Sequence, residues 1–171
     1  MDFNIFNAIF TIMSMPSISE MPYRMGANAF LINSSNEILI VQKCSYKDNE
    51  WDLPGGGFEN DESPTEGITR ELKEELGDIN FEIISQSQYI NRYEWSEDNI
   101  ISGFAKRNKW YRGQEKVQFL VKFLGNKEDL VFQASEIKDH NWINPSDLKD
   151  YLIFPNQFEI AQRALLEFGI I

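Results

Sequence analysis

Three glutamates have the types and spacing that most directly suggest chemistry. Glu71, Glu74 and Glu75 stand at i, i+3 and i+4, which places their carboxylates on one surface face of a helix. Like charges repel at this spacing, and carboxylate oxygens are the ligands that Mg²⁺ and Mn²⁺ prefer. Taken alone, such a pattern is more often a solvated acidic face than a metal site.

The residues around these glutamates favour the metal site. Glycines at 55–57 let the backbone approach closely and offer a carbonyl oxygen as a further ligand. Arg70 precedes the first glutamate and can form a fork with a carboxylate, which would fix the orientation of a metal ligand. Glu62 lies between the glycines and Arg70. We therefore expect a divalent cation, Mg²⁺ or Mn²⁺, as the cofactor.

A helix and a sheet must position these groups. Ser63 is a suitable N-cap, Pro64 suits the first helical position, Glu66 completes a capping box, and Gly77 ends the helix. The sequence therefore predicts a helix over 63–76. Its apolar stripe, which would pack on a sheet, consists of Ile68, Leu72 and Leu76.

The remaining elements follow no regular βαβ order. Apolar runs at 27–32 and 38–42 predict a hairpin. Further predictions are strands at 81–95 and 117–124, short strands at 130–132 and 142–143, a basic loop at 96–112, and a helix at 156–168 whose start is capped by Asn156 and Glu159. This order disfavours a doubly wound parallel sheet and predicts an α+β fold.

Composition excludes several classes of protein. The chain has 171 residues, 42% hydrophobic and 25% charged, as expected for one globular domain. The single cysteine, Cys44, excludes an internal disulfide and a cysteine-rich zinc site, and the single histidine, His140, excludes a multi-histidine zinc site. A net charge of −11 disfavours a generic nucleic-acid coat protein. A polyphosphate substrate would therefore need a cation between itself and the protein.

The first 21 residues form an apolar segment without Lys or Arg. They lack the basic start of a secretory signal and the roughly 20 predominantly apolar residues of a membrane span. We expect a cytoplasmic protein without membrane contact, with an extension at 1–21 and a catalytic domain at 22–171. The sequence leaves the oligomeric state open.

Residues 56–77 resemble the signature of the Nudix hydrolases. Gly56, Glu62, the run from Arg70 to Glu75 and Gly77 match its fixed positions, whereas Asp78 stands where the family prefers an aliphatic residue. The resemblance implies an α/β/α sandwich around a central mixed sheet. It also implies hydrolysis of a phosphoanhydride bond in a nucleoside diphosphate linked to another group.

The resemblance also implies roles for individual residues. Glu74 and Glu75 would be metal ligands, and Glu71 a ligand or the base that activates water. Arg70 and Glu62 would orient them. The carbonyl of Gly56 would complete the metal shell. Members of one subgroup place an additional metal-binding glutamate shortly before a tryptophan. Here Glu136 precedes Trp142, with Asp139 as the alternative.

That subgroup comprises RNA pyrophosphohydrolases and diadenosine polyphosphate hydrolases, and residues 110–119 and 23–24 resemble it. Residues 103–116 also hold five basic residues against one acid, interleaved with aromatic residues, a composition that suits phosphates and stacked bases. A solvated basic loop whose aromatic side chains pack on the core is the alternative. Candidate substrate-binding residues are Arg24, Lys43, Trp110, Tyr111, Arg112 and Gln114.

The leading hypothesis is an enzyme that acts on the 5′ end of RNA or on a dinucleoside polyphosphate. A second is a Nudix hydrolase of nucleoside triphosphates or nucleotide sugars. A third is a non-catalytic module that senses nucleotides, which the complete set of signature glutamates disfavours.

Overall fold

The computed structural model describes residues 15–59 and 61–171. Its strands are β1 (Tyr23–Ile32), β2 (Ile38–Lys43), β3 (Phe81–Glu94), β4 (Gly113–Phe123) and β5 (Ile137–Ile143). Its α-helices are α1 (Pro64–Leu76), α2 (Glu97–Arg107) and α3 (Gln157–Glu167). Three short 3-10 helices span Ile18–Glu20, Lys127–Asp129 and Pro145–Asp150.

The five strands form one mixed sheet in the order β3-β4-β1-β2-β5. Only β1 and β4 run parallel, at the centre, and the other neighbours are antiparallel. The predicted hairpin is confirmed, since Ile32 pairs with Ile38 across its turn. Helices cover both faces of the sheet, so the expected α/β/α sandwich is the fold of the chain.

The two faces of the sheet bury separate hydrophobic clusters. Side chains of α1 (Ile68, Leu72 and Leu76) pack on one face against alternate residues of β1, β2 and β4. The opposite face packs against Ala161, Ala164 and Leu165 of α3. This division follows from the two-residue period of the strands, which sends neighbouring side chains to opposite faces.

Helix α1 has the predicted ends. The Ser63 side chain accepts a hydrogen bond from the backbone of Glu66, whose carboxylate accepts from Ser63 in return. Pro64 occupies the first turn, and Gly77 follows the last residue with a φ of 86°. The capping box and the glycine stop are therefore confirmed, and they fix where the acidic face of α1 begins and ends.

The prediction of a loop at 96–112 is wrong, because residues Glu97–Arg107 form α2. The signals of a helix were present. Ser96 caps the first turn by accepting from the backbone of Asn99, acidic residues begin the helix, and Lys106 and Arg107 end it. Ile100 is buried and anchors the helix to the rest of the fold. Because charged residues dominate this segment, its short apolar face does not give a clear helical pattern in the sequence.

Smaller corrections concern element boundaries. Strand β4 starts at Gly113, four residues before the predicted 117, and Trp142 and Ile143 are the end of the longer β5. Residues 130–132 form no strand, although Leu130 and Phe132 pack against the core. The side chain of Asn156 makes no capping hydrogen bond to α3.

The N-terminal extension falls largely outside the described residues, which begin at Met15. Within its last seven residues, Met21 is buried and the carbonyl of Ser19 accepts a hydrogen bond from Arg112. No α-helix in 15–59 or 61–171 combines the length and apolarity needed to cross a lipid bilayer.

Helix α1 contains a glycine whose replacement tests its packing. A Cβ at Gly67 would collide with the ring of Phe58. Gly67→Ala improves helix propensity by about 1 kcal/mol, yet we expect it to lower the free energy of unfolding by about 1 to 3 kcal/mol because of this overpacking. Urea denaturation measures the change.

A double-mutant cycle supplies the control. In a Phe58→Ala background the collision is absent, so Gly67→Ala should then be neutral or stabilising. Destabilisation of equal size in both backgrounds would contradict this account of the packing.

Candidate active site

Arg70 is the centre of the acidic face of α1. Its guanidinium forms a bidentate fork with the carboxylate of Glu62, with Nε to Oε1 at 2.7 Å and Nη2 to Oε2 at 3.0 Å. The same guanidinium donates to Glu71 at 3.1 Å, to Glu74 at 2.9 Å, and to the carbonyl of Gly57. One cation thus links two carboxylates of the helix to the glycine-rich loop.

These contacts shift the pKa of both members of the fork. The hydrogen bond from Arg70, helped by the backbone N–H of Glu59, lowers the pKa of Glu62 to about 2. The bond to Glu62 in turn raises the pKa of Arg70 above its usual range. Glu62 is therefore ionised throughout the neutral range and holds the guanidinium in place.

Glu71 lies against the glycine-rich loop. A Cβ at Gly56 would collide with the Glu71 carboxylate, so only glycine permits this approach. Burial and the nearby negative charge of Glu75 raise the pKa of Glu71. The carbonyl of Gly56 accepts a hydrogen bond from the backbone of Ala27 at 2.9 Å, which ties the loop to β1.

Glu75 occupies a different environment from its neighbours. Its side chain is buried, whereas the sequence placed it on the surface. The carboxylate accepts from the ammonium of Lys43 at 2.7 Å and from the backbone N–H of Gly55 at 2.8 Å. Lys43 also donates to the carbonyl of Gly55 at 2.7 Å. This ion pair joins α1 to the end of β2 and to the loop between them.

The three carboxylates do not converge on one point. Across residues 15–59 and 61–171, no three His, Cys, Asp or Glu side chains form a ready-made metal cluster. The carboxylates are instead divided between two cations, since Arg70 contacts both Glu71 and Glu74 whereas Lys43 pairs with Glu75. The donor set nevertheless consists of hard oxygens, which fits Mg²⁺ or Mn²⁺. Metal binding would compete with these two cations.

Glu136 lies in the turn before β5, with an exposed side chain. Its carbonyl accepts from the backbone of Cys44, and the next residue, Ile137, pairs with Lys43. The sheet therefore brings Glu136 to the strand end that carries the cation of Glu75. Asp139, the alternative, lies within β5 and accepts a hydrogen bond from the backbone of His140.

Arg24 lies beside the acidic face. Its guanidinium contacts the backbone at Gly57, since a Cβ there would collide with it. Burial, and then the positive charge of Arg107, lower the pKa of Arg24, while Glu71 opposes that shift. The structure thus brings Arg24 near Glu71, whereas Lys43 is engaged by Glu75.

The other four substrate candidates lie at the start of β4 or just before it. Trp110 stacks on Phe104 of α2, with 4.0 Å between ring centroids. Arg112 pairs with Glu94 at 2.9 Å and lies over the ring of Tyr23. Its guanidinium is therefore engaged within the protein.

Gln114 is buried, and its Oε1 accepts from the hydroxyl of Tyr93 at 2.9 Å. Tyr111 is partly exposed and has the ammonium of Lys109 over its ring. Gln114 thus belongs to the interior of the sheet, while Tyr111 remains accessible.

The sequence analysis did not identify a buried ion pair on the other face of the sheet. Lys116 of β4 and Asp52 are each 4% exposed, with 3.2 Å between Nζ and Oδ2. The sequence does contain a signal that Lys116 is buried. The two-residue period of β4 places Lys116 on the same face as the buried Leu120. A charge at such a position requires a partner.

Comparison with known proteins agrees with the signature. The chain matches the NUDIX domain over residues 22–164. It belongs to the Nudix family. A curated relative, the RNA pyrophosphohydrolase of Zymomonas mobilis, is 32% identical over 89% of this chain and 98% of its own length. The RNA pyrophosphohydrolase of Rickettsia africae is 29% identical over 87% of this chain and 91% of its own.

Solved structures show the same fold. A MutT protein from Methanosarcina mazei superposes with a TM-score of 0.63 at 22% identity, covering 87% of this chain and 97% of its own. An Ap4A hydrolase from C. elegans gives 0.61 at 16% identity, covering 86% and 99%. The chain is thus a Nudix hydrolase, an enzyme that cuts phosphoanhydride bonds in nucleotide substrates, and members of this family work with a divalent metal.

The Lys43–Glu75 pair yields a stability prediction for this Nudix hydrolase. Lys43→Met leaves a buried carboxylate that keeps only the Gly55 N–H. We expect the free energy of unfolding in EDTA to fall by about 2 to 4 kcal/mol. Chemical denaturation measures the change, and the control is Lys73→Met, the same substitution at an exposed position of α1, the helix that carries Glu75.

Saturating Mg²⁺ should restore part of the free energy of unfolding that Lys43→Met loses, because a metal at Glu75 replaces the missing positive charge. The same addition should change the free energy of unfolding of wild type little. Equal stability of Lys43→Met and the control in EDTA would contradict a structural role for this ion pair.

Proposed function

We propose that this enzyme removes phosphate or pyrophosphate from the 5′ end of RNA. Dinucleoside polyphosphates are the second candidate substrate. The subgroup that residues 110–119 resemble contains diadenosine polyphosphate hydrolases as well as RNA pyrophosphohydrolases. The observation that carries the proposal is similarity over nearly full length to curated RNA pyrophosphohydrolases, together with the three signature glutamates on α1.

The oxygen ligands would come from α1 and its adjoining loop. We propose that Glu71, Glu74, Glu75 and the Gly56 carbonyl hold Mg²⁺ or Mn²⁺, and that Glu136 adds a ligand from the turn before β5. The bound metal would neutralise charge on the phosphates and lower the pKa of the attacking water. The hard oxygen donors support this assignment.

Side chains of the protein would accept the proton of the attacking water and orient the catalytic base. In hydrolysis, a water oxygen forms a new bond to phosphorus, the anhydride P–O bond breaks, and the water gives up a proton. Glu71, whose carboxylate lies against the glycine-rich loop, would accept that proton. Arg70 would hold Glu71 in position through the fork with Glu62.

The substrate phosphates would bind the cations beside this face. Arg24 makes no ion pair with any residue in the described part of the chain, and it lies next to the loop that carries Gly56 and Gly57. Its positive charge is therefore free to meet a phosphate. Tyr111, which is partly exposed, would contact the nucleotide beyond the phosphates.

A substrate panel tests the proposed function. Phosphate and pyrophosphate release are measured with 5′-triphosphorylated RNA, a dinucleoside tetraphosphate, nucleoside triphosphates and a nucleotide sugar, with Mg²⁺ or Mn²⁺. We expect RNA to give the highest kcat/KM. Preference for a triphosphate or a nucleotide sugar would contradict the RNA assignment, and no release from any substrate would favour a sensing module.

The ligand and base assignments predict specific losses. Glu74→Gln and Glu71→Gln should each lower kcat by at least about 100-fold, because a charged ligand or base is removed. Glu82→Gln, an exposed change on β3, is the matched control. Rates within a few-fold of wild type at both limiting and saturating Mg²⁺ would contradict the assignment.

A further inference from the structure

The connection between β3 and β4 ends in a cluster of exposed cations. Lys106 and Arg107 lie in the last turn of α2, and Lys109 follows shortly after the helix. All three side chains are exposed, and we call them the basic end of α2. The acids of this helix, Glu97 and Asp98, lie in its first turn, about 15 Å away along the axis.

Backbone hydrogen bonds hold this connection beside the start of β1. The N–H of Arg112 donates to the carbonyl of Pro22 at 3.0 Å, and the N–H of Trp95 donates to the carbonyl of Arg112 at 2.9 Å. Within α2, the side chain of Ile100 is buried and anchors the helix to the core. These contacts fix where the basic end of α2 lies relative to the rest of the surface.

The basic end of α2 lies close to the proposed phosphate site. Arg24 contacts the glycine-rich loop at Gly57. Burial, and next the positive charge of Arg107, lowers the pKa of Arg24, so the two guanidinium groups are near enough to repel each other. The ammonium of Lys109 lies over the ring of Tyr111, 5.5 Å from its centroid. Positive charge therefore extends from the catalytic face to the end of α2.

These cations have no carboxylate partner within residues 15–59 and 61–171. In a chain with 27 acidic side chains and a net charge of −11, unpaired cations gathered at one place are unexpected. The helix dipole accounts for Lys106 and Arg107 in the last turn of α2, but not for Lys109, which lies beyond it. An anion from outside the protein would relieve the repulsion among them.

We propose that the basic end of α2 binds the phosphate backbone of the RNA beyond its first two nucleotides. The 5′ phosphates would lie at the carboxylates of α1 and at Arg24, so the following nucleotides must leave across the neighbouring surface. Lys106, Arg107 and Lys109 offer positive charge to that chain, and Tyr111 offers a ring on which a base can stack. This inference rests on the proposed function and adds to it a surface that selects longer RNA.

Binding through backbone phosphates has a characteristic dependence on salt. Each phosphate of a single strand that a lysine or arginine neutralises releases counterions. The logarithm of the binding constant therefore falls with the logarithm of the salt concentration, with a slope of about −0.7 per contact. Loss of two lysines that contact phosphates should make this slope shallower by about 1.4.

Binding of RNAs with a 5′ monophosphate, which contain no anhydride bond, tests the proposal without turnover. An RNA of about 12 nucleotides and a dinucleotide, each with a 3′ fluorophore, are titrated with the protein in Mg²⁺ at several KCl concentrations, and fluorescence anisotropy gives Kd. We expect the longer RNA to bind at least about 10-fold more tightly at low salt and with the steeper slope. Equal affinities, equal slopes, or no binding of the longer RNA at about 0.1 mM protein would overturn the proposal.

A double variant locates the contacts on α2. Lys106→Gln together with Lys109→Gln removes two charges and keeps Arg107, and with it the surroundings of Arg24. We expect the affinity for the longer RNA to fall by about 3- to 10-fold at low salt and its slope to become shallower by about 1.4, while the affinity for the dinucleotide changes less than about twofold. An unchanged slope for the longer RNA would overturn the proposal.

The matched control removes two exposed lysines that also lack a carboxylate partner in the described residues, Lys122→Gln together with Lys149→Gln. Lys122 lies near the far end of β4, about 30 Å from Gly113 at its start. It should leave the slope as in wild type, and an equal loss in the control would overturn the proposal.

A competitor separates RNA from an acidic protein as the partner. A polyglutamate peptide offers negative charge but no base to stack on Tyr111. Equal competition by this peptide and by unlabelled RNA would overturn the assignment to RNA. Metal-dependent release from triphosphorylated RNA, measured separately, tests the proposed function, so failure of one is distinguishable from failure of the other.

Discussion

Glu71, Glu74 and Glu75 put three negative charges on about one turn of α1, and the surrounding structure compensates their repulsion. Arg70 bridges two of them to Glu62, and Lys43 neutralises the third in the interior. Both cations also bind carbonyls of the glycine-rich loop. The same electrostatic requirement therefore fixes α1, the loop and the end of β2 relative to one another.

The three carboxylates are divided between two cations, because Arg70 contacts Glu71 and Glu74 while Lys43 pairs with Glu75. A divalent cation would carry the charge that lets such carboxylates approach one site. Arg70 and Lys43 hold these donor groups beside the glycine-rich loop, whose carbonyls both of them contact.

The sheet separates two kinds of polar chemistry. Strand residues facing α1 are mostly apolar and bring the carboxylate helix to the edge of the core. On the other face, Asp52, Asn91 and Lys116 bury polar groups in a cleft. Burying charge is expensive unless each group is paired, and here Lys116 is paired with Asp52.

The sequence by itself determined the family, the fold class, helix α1 with both of its ends, and the central hairpin, because these depend on local capping chemistry and on short-range periodicity. It also placed Arg70 beside the glutamates, since neighbours on a helix are fixed by spacing. It missed α2, whose apolar face is reduced to few residues among many charges.

Only the tertiary structure decided the partners that lie far apart in the chain. Glu75 is buried because Lys43, 32 residues away, reaches it from another element. Asn91 meets Lys116 through the register of β3 and β4. Spacing in sequence carries no information about such pairs, because strand order and register arise from packing of the whole core. The carboxylates and Arg70 were therefore visible in the sequence, whereas the pairing of Lys43 with Glu75 was not.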